Sequence, residues 1–176
     1  MGLRRTAFFD AHKNCNARLI DFGGWEMPVQ YAGILAEHEA VRKSVGLFDV
    51  SHMGEIMVRG EGAEQALNTL LSNDVRSVDI GQSQYSAILN PSGGIVDDVF
   101  VYRLAQSEYL VCVNASNREK DFDWLVANNP NPDAEITNAS DDWAQVAVQG
   151  RNAIPLVESL SNIQAEGLSR GAIAQG

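Results

Sequence analysis

Hydrophobic positions change spacing several times along this chain, and each change marks an element. Residues 18–21 alternate as a short strand, and Gly23-Gly24 close it with a turn. Trp25, Met27, Pro28, Val29 and Tyr31 read as an apolar loop plugging a core. Ile34, Leu35, His38, Val41 and Val45 then recur at helical spacing, with Gly46 at the C-cap position. Leu47, Phe48 and Val50 are expected to re-enter the core.

Alternation over residues 55–59 predicts a strand, and Ala66, Leu67, Leu70 and Leu71 predict a helix. Apolar runs 85–89 and 99–102 flank Asn90-Pro91-Ser92-Gly93-Gly94, five turn formers in a row, so the segment reads as a β-hairpin. A strand over 109–114 follows. Asn117 is placed to cap a helix running to Asn129 that carries Phe122, Leu125 and Val126 on one face. Pro130 and Pro132 stop that helix, and strands are predicted over 134–137 and 144–148. A last helix starts late or breaks at Pro155. The tail after Glu166 is small and polar and is expected to pack poorly. The order predicts an α+β fold: a mostly antiparallel sheet with helices on one face.

The hairpin also carries the chemistry. Asp97 and Asp98 stand just inside its second strand, where acidic residues are unfavourable. A period of two sends their side chains to opposite faces, so one meets solvent and the other points inward or into a cleft. An inward carboxylate must be paired, protonated or functional, because an unpaired buried charge costs several kcal/mol.

Composition narrows the partners. The chain has 176 residues, 45% hydrophobic and 20% charged, with net charge −10. Such acidity argues against nucleic acid, whose phosphates need a basic surface. Cys15 and Cys112 lie far apart in no metal-ligand spacing, and the N-terminus lacks a secretory signal pattern. No stretch is long and apolar enough to span a bilayer, so a cytoplasmic protein without membrane contact or metal is expected. Asp49, Ser51 and His52 are too close in sequence to be read as a catalytic triad, which needs spatial geometry. His38 reads as a core or interface histidine.

Five segments occur in series: Asp21-Phe22-Gly23-Gly24-Trp25-Glu26-Met27-Pro28-Val29-Gln30-Tyr31, Gly46-Leu47-Phe48-Asp49-Val50-Ser51-His52-Met53-Gly54, Gly93-Gly94-Ile95-Val96-Asp97-Asp98, Asn114-Ala115-Ser116-Asn117-Arg118-Glu119-Lys120-Asp121 and Ala147-Val148-Gln149-Gly150. In this order the series resembles the N-terminal half of the glycine-cleavage T-protein family, the tetrahydrofolate-dependent aminomethyltransferases, from about Ala7 to Gly150. The resemblance implies transfer of a one-carbon unit, carried as an aminomethyl group on the lipoyl arm of the H-protein, to tetrahydrofolate with release of ammonia. It implies Asp98 as the essential carboxylate, directed into the cleft. It also implies Met53 and Tyr85 as folate-pocket positions, and Cys112 and Val113 as a strand whose backbone edge pairs with the pterin.

The family continues for a stretch comparable to this whole chain, bearing a Gly-Tyr-Thr-Gly-Glu type segment, a pterin-gripping glutamate and folate-tail arginines. This chain is therefore expected to be an N-terminal fragment, inactive alone. Residues 1–52 would begin a discontinuous first domain, 53–139 form a partial folate-pocket domain, and 140–176 return to the first. An exposed apolar edge is expected around 144–148. Two alternatives share the fold: a related folate-dependent demethylase, and a non-catalytic folate-binding protein supporting iron–sulfur proteins.

Overall fold

A computed structural model describes residues 2–176; residue 1 lies outside the described residues. The chain divides into two units. Of the described residues, the first comprises those up to 52, 144–167 and 175–176, and the second 53–143 and 168–174. The segment expected to return whole into the first unit is thus divided, with 140–143 and 168–174 held by the second.

In the first unit, helix α1 (Phe9–Asn14) precedes an antiparallel hairpin of β1 (Arg18–Phe22) and β2 (Trp25–Gln30). Gly23 and Gly24 turn it at φ of 60° and 89°, a left-handed region that costs a side-chain-bearing residue energy. The expected apolar loop is therefore β2, a strand that buries Trp25 and Met27 by alternation. Helix α2 (Ile34–Lys43) forms where the spacing predicts it, yet buries none of its residues, and His38 is exposed. Gly46 is not a helix cap but opens β3 (Gly46–Asp49), where a Cβ would fall 2.5 Å from a Val41 methyl. Strand β3 pairs only with β9 (Val146–Gln149) among the described residues. Leu47 and Phe48 consequently stay 58% and 46% exposed instead of entering a core. Helix α5 (Ala153–Leu160) carries Pro155 in its first turn, where the missing N–H leaves no bond unmade.

The second unit is one five-stranded antiparallel sheet. Its strands are β4 (Gly54–Arg59), β5 (Gln82–Leu89), β6 (Ile95–Ala105), β7 (Glu108–Val113) and β8 (Glu135–Asn138), in spatial order β5-β6-β7-β4-β8. Helices α3 (Ala63–Leu70) and α4 (Arg118–Ala127) supply the apolar faces that the sheet needs. Ala63, Ala66, Leu67 and Leu70 of α3 recur on one stripe, and all four are buried. Leu67, Leu70 and Leu125 pack with Ile56, Val58, Ile88, Val99, Val101, Val111 and Val113 in one core. Each fully buried Leu or Ile contributes roughly 1.5–3 kcal/mol by leaving water.

The tail differs from expectation. Ile173 N–H donates to Gly81 C=O at 2.7 Å, Ser83 Oγ donates to Gly171 C=O at 2.9 Å, and Ala172 pairs with Gln82. Backbone groups, not apolar periodicity, hold this segment, so hydropathy could not reveal it. No helix among the described residues is long and apolar enough to cross a membrane.

Candidate functional site

Asn90 builds the turn that sets the two aspartates. Its Oδ1 accepts the backbone N–H groups of Ser92 and Gly94, and Gly93 takes φ of 83°. Beyond the turn the two faces of β6 separate cleanly. Asp97, Val99, Val101 and Arg103 are buried, whereas Asp98 and Phe100 are exposed and Tyr102 is half-buried. The buried carboxylate is therefore Asp97, which was expected to meet solvent, and Asp98 stands on the open face beside Tyr85 instead of pointing inward. Parity decides it: Asp97 shares the register of the valines that pack into the core.

On the open face the Tyr85 hydroxyl donates to Asp98 Oδ2 at 2.9 Å. That bond, then partial desolvation, pushes the Tyr85 phenol above its ordinary value, since a phenolate would face a carboxylate. The Tyr85 ring meets Phe100 at 5.3 Å and 63°, and Phe100 meets Tyr102 at 6.2 Å and 30°. Tyr85 itself remains 54% exposed. The result is a carboxylate at one end of an aromatic shelf, a surface that suits a flat polar heterocycle.

Asn114 holds the other side of Asp98. Its Nδ2 lies 3.1 Å from Asp97 Oδ1, 3.1 Å from the Asp98 carbonyl and 3.3 Å from Asp98 Oδ1. The amide orientation follows from chemistry, because Oδ1 turned this way would face two anions. Asn114 stood within a family-like segment, but nothing in its sequence context signalled this bridging position.

The other expected residues lie nearby in the sheet, with corrections. Cys112 is opposite Phe100 on β6 and opposite Glu55 on β4, so these side chains share the open face. Met53 is half-buried and directly precedes Gly54, the partner of Val113. Val113 points the other way, into the core, with no exposed surface. Strand β7 is also not an edge: β6 and β4 pair with it on either side.

Glu55 escaped the sequence reading altogether. It is 3% exposed, and neither carboxylate oxygen has a hydrogen-bond partner among the described residues. Burial pushes its carboxyl up to about 7, with the Arg118 charge pulling the other way. Strand alternation gave no signal here: Glu55 shares the parity of Met57 and faces the side of Cys112 and Phe100, opposite the core-facing Ile56 and Val58.

In the first unit, Asp49, Ser51 and His52 make no triad. Asp49 accepts from Thr6 Oγ1, sits 2.8 Å from His12 Nε2, and accepts Ser51 N–H at 2.9 Å. Burial alone would raise the Asp49 carboxyl, but these bonds outweigh it and hold it low. Ser51 Oγ donates to the Gln145 carbonyl, and His52 packs edge-on against Phe22 at 5.6 Å. Asp49 and Ser51 are thus engaged in structural bonds, whereas His52 Nδ1 is buried with no hydrogen-bond partner among the described residues. Among the described residues no group of three or more His, Cys, Asp or Glu is placed to hold a metal ion.

Residues 8–174 match the GCVT N-terminal domain. The chain belongs to that family. An aminomethyltransferase of Lysinibacillus sphaericus (strain C3-41) is 50% identical over 160 residues, covering 91% of this chain and 44% of its own length. That of Bdellovibrio bacteriovorus is 46% identical over 175 residues, 99% of this chain and 48% of its own. The crystal structure of glycine cleavage system aminomethyltransferase T from Bartonella henselae superimposes with a TM-score of 0.90 at 31% identity, covering 97% of this chain and 47% of that one. The GCVT N-terminal fold is therefore the α+β arrangement expected, and the chain spans a little under half the length of the curated relatives it matches.

Proposed function

We propose that the open face of the sheet receives tetrahydrofolate and that Asp98 is the carboxylate at its reacting nitrogens. The reaction would be aminomethyl transfer within the glycine cleavage system, the one-carbon step of glycine catabolism. One observation carries this reading: Asp98 is a strand-interior carboxylate left open to solvent, held by Tyr85 and Asn114 and, among the described residues, not by a cation. A carboxylate so held keeps one face for a developing positive nitrogen and can accept its proton. Tyr85, Phe100 and Tyr102 would take the flat pterin beside it.

The balance is simple. The aminomethyl carbon leaves the lipoyl sulfur and its own nitrogen and becomes bonded to two folate nitrogens. The two hydrogens those nitrogens lose appear on ammonia and on the lipoyl thiol. Asp98 carries one of them in transit. A lipoylated H-protein is proposed as the donor, following the T-protein resemblance, and the cytoplasm as the location.

Titration with tetrahydrofolate, followed by NMR, tests the reading on this chain. Resonances of Tyr85, Asp98 and Phe100 are expected to move, and in Asp98→Asn folate should still move the aromatic ones. Shifts confined to other surfaces at saturating folate would remove this face from the assignment. In a family-length protein, Asp98→Asn should lower turnover about a hundredfold or more. Near-normal turnover there would take Asp98 out of the chemistry.

A further inference from the structure

Behind Asp98 lies a second acidic group that the proposed chemistry does not use. Asp97 is 9% exposed, and Asp121, on the first turns of α4, is 0% exposed. Among the described residues, Asp97 Oδ2 and both oxygens of Asp121 have no hydrogen-bond donor from any nitrogen or hydroxyl. Lys120 Nζ stands 3.3 Å from Asp121 Oδ1 but outside hydrogen-bond geometry, and donates to the Val96 carbonyl at 2.8 Å. The two carboxyls lie within hydrogen-bonding reach of each other. Two adjacent buried carboxyls cannot both be ionised cheaply, and one proton between them satisfies both.

We propose that Asp97 and Asp121 share one proton and act as a single positioning group, holding the Asn114 amide and through it the Asp98 carboxylate. Asp121 is the donor and Asp97 the ionised acceptor. Burial first, and then the bond and charge of Asp97, push the Asp121 carboxyl up to about 7. Desolvation works against ionised Asp97, but bonds from Asp121, Asn117 and Asn114 keep its carboxyl low. The Asn114 amide has two hydrogens for three acceptors, two of them on Asp98. Its grip on Asp98 therefore depends on how much charge Asp97 shows it. Loss of the shared proton puts a second negative charge behind Asp97 and draws the amide off Asp98. The charged groups acting on Asp121 are Asp97 from β6 and Lys120 on its own helix.

The consequence for catalysis rests on the folate reading, but the device itself does not. It is tested without ligand, on the full chain labelled with 13C at aspartate carboxyls and 15N at asparagine amides. A Glu55→Gln background removes the other carboxyl that titrates in the same range. Asp97 and Asp121 are expected to titrate together in two steps, the upper near neutrality. The Asn114 side-chain amide and the Asp98 carboxyl should follow that upper step. Asp121→Asn keeps a donor to Asp97 and cannot ionise, so the upper step should vanish at Asn114 and Asp98, which retain their low-pH positions. A simple packing role predicts no such loss. An Asp121 that titrates alone near its ordinary value, or an upper step that persists at Asn114 in Asp121→Asn, overturns the proposal.

Discussion

Replacing Glu55 with glutamine should make the protein more stable at pH 8 and leave it nearly unchanged at pH 5. Glu55 is buried with both oxygens unpartnered among the described residues, and burial raises its carboxyl from 4.5 to about 7 in spite of Arg118. The sign follows from proton linkage. A folded-state value above the unfolded one means that the native protein holds a proton the unfolded chain has released. The stability that this proton represents is complete below about pH 4.5 and is lost as pH rises through about 7. The interval corresponds to at most about 3 kcal/mol. Urea unfolding at pH 5 and pH 8, with wild type and Glu55→Gln compared at equal m-value, reads the difference directly. Asp121 titrates in the same sense and range, so wild type should lose more than Glu55 alone explains, and Asp121→Asn in the Glu55→Gln background should flatten the remainder. Equal losses between pH 5 and pH 8 in wild type and Glu55→Gln would show that Glu55 reaches water or a partner when charged, and the argument from burial would fail.

Other perturbations follow from the packing. Gly54→Ala places a Cβ 2.6 Å from a Val113 methyl and 2.7 Å from Arg118 Cγ, neither a freely moving chain end. It should cost about 1–3 kcal/mol, measured as a lower urea midpoint. Leu67→Ala removes a fully buried side chain from the core of the second unit and should cost about 3–5 kcal/mol. In the first unit Leu35, Leu47 and Phe48 are exposed, and Phe48 borders an apolar groove of about 490 Å³ with Val29, Ile34 and Val41. The isolated chain should therefore self-associate, and Leu47→Glu with Phe48→Glu should lower its light-scattering mass. An unchanged mass would place the contact elsewhere.

The second unit was legible because its elements bury what their patterns offer. Residues of α3 recur at helical spacing and fill a core, and the hairpin turn is written in Asn90, Gly93 and Gly94. The first unit was less legible for the opposite reason. Leu47, Phe48 and the face of α2 are apolar by pattern but open in the structure, and apolarity states a preference for cover without naming what provides it. The loop reading of Trp25 to Tyr31 failed although the run alternates, and Pro28 within it does not prevent a strand. An edge position in a two-stranded hairpin tolerates the missing N–H.

The site shows where such reading stops. Alternation established that Asp97 and Asp98 diverge, yet the resemblance placed the inward side chain at Asp98. The residues two and four positions on could have decided it. Val99 and Val101 share the parity of Asp97, and Phe100 and Tyr102 share that of Asp98. Both series are hydrophobic enough to form a core, so composition alone leaves the choice open. What separates them is β-branched bulk against aromatic rings with edges and a hydroxyl, the first suited to filling a sheet–helix layer, the second to a surface that meets a ligand. Asp97 then needs a hydrogen-bond donor, and the proposed one is Asp121, 24 residues later on a different element. No local pattern encodes that meeting; it appears only once α4 is laid against the sheet. The same packing that hides Asp97 is what leaves Asp98 open, so the exposed carboxylate and the buried acid pair are two faces of one strand register.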